Sequence, residues 1–94
     1  MAKKKRGTVL WVEIELEGDG FPTAEELGAR NAIMELVEER EIGRLGGSGG
    51  GLGAMDFEVA VASTDVRSAR GKISRLIRRV LPKRRFTIRQ MKDD

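Results

Sequence analysis

No cysteine, histidine or tyrosine occurs among the 94 residues. Without cysteine there is no disulfide framework, no thiolate metal site and no thiol nucleophile. Without histidine the usual general base at neutral pH and the commonest metal ligand are both missing. No apolar run approaches the length of a membrane span, and Lys3-Lys4-Lys5-Arg6 is not followed by the apolar core of a signal peptide. These absences set the first expectations: a cytoplasmic protein that is not an enzyme and uses no cofactor and no metal.

What is present fits one small domain. A chain of this length can bury one modest core, and 39% hydrophobic with 35% charged residues suits a well-charged surface around it. The net charge of +3 conceals a larger split. Residues 1–7 carry four bases, residues 8–64 twelve acids against three bases, and residues 65–94 eleven bases against three acids. Either the two regions neutralise each other within the fold, or a basic surface is left to meet a polyanion.

The expected domain is residues 8–91, between a flexible basic tail at 1–7 and a short tail at 92–94. Residues 8–16 alternate, with Leu10, Val12, Ile14 and Leu16 toward a core and Val9, Trp11, Glu13 and Glu15 on the other side. Thr23 and Glu26 have the spacing of a capping box, which opens a helix running to about Glu41. Ile42-Gly43-Arg44-Leu45 reads as a short, irregular second strand. The glycine run that follows, residues 46–53, reads as a long or bulged hairpin turn, because each glycine loses much backbone freedom on ordering. Met55, Phe57, Val59 and Val61 then alternate through a third strand. Ser63-Thr64-Asp65 offers caps for a second helix from Asp65 to Leu81. That helix sets Val66, Ala69, Ile73, Leu76, Ile77 and Val80 against a stripe of bases. Pro82 stops it, and residues 85–91 form a last strand.

The order β-α-β-β-α-β is the split βαβ pattern. It predicts an α+β, ferredoxin-like sandwich with two helices on one face of a four-stranded antiparallel sheet. The same order, the glycine run at 46–53 ahead of Met55-Asp56, and Thr64-Asp65 opening the second helix resemble short uncharacterised bacterial proteins of ferredoxin-like fold. The resemblance covers about residues 8–90. It implies the fold and carries over no activity.

Chemical sites are few. The glycine run has no following Gly-Lys-Ser/Thr and leads into a strand, so a phosphate loop is disfavoured against a hairpin tip. Ser48 has no histidine to activate it, and a lysine base would have to come from Lys72 or Lys83. Glu13, Glu15, Asp56 and Glu58 share the open sheet face. They either attract a hard cation or keep the face solvated.

Two surfaces remain. The open sheet face, with Trp11, Glu13, Asp56, Glu58, Arg89 and Met91, is the expected contact surface for a protein partner or a homodimer, because an exposed aromatic patch is otherwise a liability. The alternative is a nucleic-acid-binding accessory role for the second helix and the N-terminal bases, through Arg75, Arg78, Arg79, Lys83, Arg84 and Arg85. A competing possibility for those bases is internal pairing with Glu35, Glu38 and Glu39 of the first helix.

Overall fold

The computed structural model describes residues 7–91, and both expected tails except Gly7 lie outside the described residues. The chain runs β1 (Gly7–Glu15), α1 (Ala24–Glu39), β2 (Arg44–Gly51), β3 (Ala54–Ala62), a single 3-10 turn at Ser63–Asp65, α2 (Val66–Val80) and β4 (Phe86–Met91). The strands form one antiparallel sheet in the order β2-β3-β1-β4, with two helices, which is the ferredoxin-like α+β arrangement.

The alternating strands behave as their period requires. Leu10, Val12 and Ile14 of β1 meet Met55, Phe57 and Val59 of β3, and all six are fully buried. Ile33 and Val37 of α1, with Ala69, Ile73, Leu76 and Ile77 of α2, close the core from above. Each buried Val, Leu, Ile, Phe or Met side chain among these contributes about 1.5–3 kcal/mol when removed from water. The strand begins one residue earlier than the sequence suggests: Gly7 pairs with Ala62 and belongs to the sheet, not to a tail. Leu16 lies past the end of β1, yet it is buried and its N–H bonds to the Gly53 carbonyl at 2.8 Å.

The glycine run corrects the sequence reading. Residues 46–51 are not a connection but most of β2, an edge strand in register with β3 through Ser48–Phe57, Gly49–Asp56, Gly50–Met55 and Gly51–Ala54. An irregularity between Leu45 and Ser48 re-aims the strand. Ladder hydrogen bonds need backbone alone, so β3 can organise a neighbour that has almost no side chains. The turn shrinks to Leu52-Gly53, both with positive φ (55° and 80°), the mark of the tight turn favoured by twisted hairpins. Ile42 and Gly43 precede the strand: Ile42 is a buried plug, and Gly43 lies so close to β3 that a Cβ there would come within 2.5 Å of Val59 Cγ1.

The helix ends differ by a residue or two. The Thr23–Glu26 capping box forms with both reciprocal bonds, Glu26 N–H to Thr23 Oγ1 at 3.1 Å and Thr23 N–H to Glu26 Oε1 at 2.9 Å. α1 ends at Glu39, and Glu41 follows in the left-handed region with φ 52°. Asp65 stands at the cap position of α2, but its side chain makes no capping bond. Arg85 falls just outside β4, where its carbonyl accepts the Glu15 N–H at 2.9 Å.

Candidate nucleic-acid interface

α2 separates its surfaces cleanly. Ala69, Ile73, Leu76 and Ile77 are buried, while Arg67, Lys72, Arg75, Arg78 and Arg79 are exposed. Where the C-terminal end of α1 meets this helix, an open groove of about 750 Å³ is lined by Arg40, Ile42, Lys72, Arg75, Leu76, Arg78 and Arg79. Five of those seven residues are basic and none is acidic. The Arg78 guanidinium also lies over the Phe86 ring, 5.5 Å from its centroid, which ties the head of that side chain to β4.

Internal pairing does not account for these bases. The ion pairs among the described residues are Arg84–Glu17 at 3.7 Å, Arg84–Glu26 at 2.6 Å and Arg89–Glu13 at 3.4 Å. None joins α1 to α2, so Glu35, Glu38 and Glu39 do not bond the bases of the second helix. Shared burial of two helices on one sheet face thus does not bring their charged stripes into contact.

Arg84 leaves the candidate polyanion set. Its guanidinium reaches back to the start of α1 and binds the buried Glu26 carboxylate, which also accepts the backbone N–H groups of Thr23 and Glu17 at 2.9 and 3.1 Å. The Thr23 backbone bond, then Arg84, then the Glu17 backbone bond hold the Glu26 carboxyl down at about 2, against the opposing effect of burial. Lys83 and Arg85 are exposed, but Arg85 lines a different hollow, which it shares with Arg78, Arg84, Glu13, Glu15 and Asp19 and which does not include Arg75 or Arg79. Of the six bases singled out in the sequence, Arg75, Arg78 and Arg79 converge on the groove. Lys72 and Arg40 join them.

Arg40 was hidden in the sequence by its acidic neighbours, Glu38, Glu39 and Glu41. Its one signal is position: it is the first residue past α1, where the helix ends against α2. Arg30 was hidden more deeply. It is buried, and it donates from Nη1 to the Gly49 carbonyl at 3.1 Å and from Nε and Nη2 to Asn31 Oδ1. Its spacing could have exposed it, since Glu26, Arg30, Ile33 and Val37 form a single buried line at helical intervals.

The sheet face opposite the helices does assemble the residues expected of it. Trp11 lies between Glu58 and Arg89, Glu13 between Asp56 and Thr87, and Val9 between Ala60 and Met91. The Arg89 guanidinium covers the Trp11 ring at 4.6 Å from its centroid and also bonds Glu13 at 3.4 Å, so the tryptophan is half-buried by its own chain. Among the described residues no group of three or more Asp or Glu side chains is placed to hold a metal ion. No helix among the described residues is long and apolar enough to cross a membrane. Comparison with family models, curated proteins and solved structures finds no match for this chain.

Proposed function

We propose that this protein is a small nucleic-acid-binding accessory domain, a binding module and not an enzyme, whose second helix contacts phosphates. The observation that carries the reading is the groove in which Arg40, Lys72, Arg75, Arg78 and Arg79 converge with no carboxylate among its lining residues. Bases that make no ion pair among the described residues are placed to displace counterions from a phosphate backbone, a contact that positions a protein without reading sequence. The four bases at residues 3–6 would add to the same attraction. A protein-contact role for the open sheet face has weaker support, since Arg89 already stacks on the aromatic ring that such a contact would use.

The test is binding of a mixed-sequence duplex oligonucleotide across a salt series. Five phosphate contacts give a slope of about −4 to −5 in log K against log salt, a loss of several hundredfold, roughly, between 50 and 200 mM. The double variant Arg75→Glu/Arg79→Glu should bind more weakly and with a flatter slope, while its thermal unfolding moves by less than about 0.5 kcal/mol because both residues are exposed and unpaired. Arg78 is left intact because it also supports Phe86. Absence of binding at low salt, or a variant that binds as the parent does, overturns the reading.

A further inference from the structure

Arg30 carries more binding capacity than the fold uses. It is only 9% exposed, yet no carboxylate among the described residues pairs with it. Its acceptors are neutral: Nη1 donates to the Gly49 carbonyl, and Nε and Nη2 share Asn31 Oδ1. A guanidinium has five N–H groups, so one on Nη1 and one on Nη2 are left over. A charge withdrawn from water and given only dipoles is costly to hold, and an anion beside it offsets that cost. The acids nearest in the fold are engaged elsewhere. Glu26, one helical turn earlier, is bound by Arg84 and by the Thr23 and Glu17 N–H groups. Asp56 is the cross-strand partner of Gly49, but it stands on the sheet face away from the helices.

Arg30 lines an open hollow of about 290 Å³ between α1 and β2, and so does Gly49, to which its guanidinium is bonded. The other lining residues are Phe21, Pro22, Leu27, Ser48 and Gly50, so Arg30 is the one charge in the lining. Ser48 pairs with Phe57 and Gly50 with Met55, both fully buried, which turns Ser48 toward the helix side of the sheet, where Arg30 lies. Gly50 runs so close to Pro22 that a Cβ there would come within 3.0 Å of Pro22 Cγ, and a side chain would intrude on the floor. The wall is apolar: Pro22, the half-buried Leu27, and the Phe21 ring, which is 82% exposed and joins no core.

One cation balances one negative charge, whereas a phosphate monoester brings close to two. The planar guanidinium fork fits the paired oxygens of a carboxylate. We propose that this hollow binds a carboxylate borne on a small apolar body. Arg30 holds the charge, Ser48 donates a further hydrogen bond, and Phe21, Pro22 and Leu27 cover the body. Two sources share that chemistry: a free aliphatic acid, and the end of a peptide chain whose last residue is apolar. The site is separate from the basic groove, since Arg40 follows Arg30 by about 15 Å along α1, and it does not depend on nucleic-acid binding.

The experiment titrates the full, isotope-labelled chain and follows its backbone amide resonances. N-acetyl-leucine stands for a chain end and isocaproate for a free acid; N-acetyl-leucinamide removes the charge, and inorganic phosphate changes the anion. Both carboxylates should give saturable shifts at Leu27, Arg30, Ser48, Gly49 and Gly50. Tighter binding of N-acetyl-leucine identifies a chain end as the source, and binding of isocaproate at least as tight identifies a free acid. The amide and phosphate should each bind at least about tenfold more weakly than the better carboxylate. Arg30→Met should abolish binding. Because that change also breaks the tie to Gly49, Phe21→Ala and Ser48→Ala, both at exposed positions, give an independent reading. Each should weaken the better carboxylate roughly three- to tenfold while circular dichroism stays native. The proposal is overturned by an absence of saturable shifts with both carboxylates, or by amide or phosphate binding as tightly as they do. Unchanged affinity in a folded Arg30→Met, or in both Phe21→Ala and Ser48→Ala, overturns it as well.

Discussion

α1 and α2 lie on the same sheet and cover the same core, yet they treat charge in opposite ways. α2 buries only Ala69, Ile73, Leu76 and Ile77 and sends its bases outward. α1 buries Glu26 and Arg30 in line with Ile33 and Val37. In α1 the charged groups act as internal ties. Glu26 fastens the helix start to Arg84 and the Glu17 backbone, and Arg30 fastens the glycine strand through Gly49. Side chains cannot hold β2, which has almost none, so a guanidinium on the helix above it takes that part. The lesson is that net charge along a segment says little about its surface. The acidic helix uses two of its charged residues inside, whereas the basic helix leaves nearly all of its charge where a ligand can meet it.

The sharpest way to break this comparison is to remove apolar contact from α2. Ile73→Ala, at a fully buried position, should cost about 2–5 kcal/mol in denaturant unfolding, through lost transfer energy and the cavity left behind. A loss under 1 kcal/mol would mean that α2 is held less by its apolar stripe than its burial implies.

The corresponding change in α1 is electrostatic. Glu26→Gln keeps the shape but leaves Arg84 only the exposed Glu17 carboxylate, and should cost roughly 2 kcal/mol near neutral pH. The pH dependence has a definite sign. The folded-state pKa of Glu26 is lowered from 4.5 to about 2, so its contribution is fully present above about pH 4.5 and is lost as pH falls through about 2. Acid titration of stability should therefore be shallower in the variant across that window. Equal acid sensitivity in the two proteins would show that other carboxylates dominate.

A smaller effect sits at the far end of α1. Glu41 holds a left-handed conformation just past the helix, where glycine is the usual residue. Glu41→Gly should raise stability by about 0.5–1 kcal/mol, readable as a small rise in melting temperature. The effect should be absent if Glu41 makes a compensating contact.

Much of the fold was legible because it rests on period. Leu10, Val12 and Ile14 point inward for the same reason that Ala69, Ile73 and Ile77 do: backbone geometry repeats every two residues in a strand and every 3.6 in a helix. The Thr23–Glu26 cap was legible because both partners lie within one turn. The candidate groove was legible in part, since Arg75, Arg78 and Arg79 share a helix.

The rest depended on contacts between residues distant in sequence. Nothing local distinguishes Arg84, tied to Glu26, from Arg85 next to it; only the return of the chain past the start of α1 makes one a structural tie and leaves the other on the surface. Arg40 reaches the groove because α1 happens to end there. The glycine run carries no strand signal of its own, because a strand signal is written in side chains. The sequence by itself determined the order of elements and the residues facing the core, since those follow from local geometry and burial. Tertiary structure alone decided that β3 would order a strand of glycines and which charges would be neutralised, because both turn on distances that only packing sets.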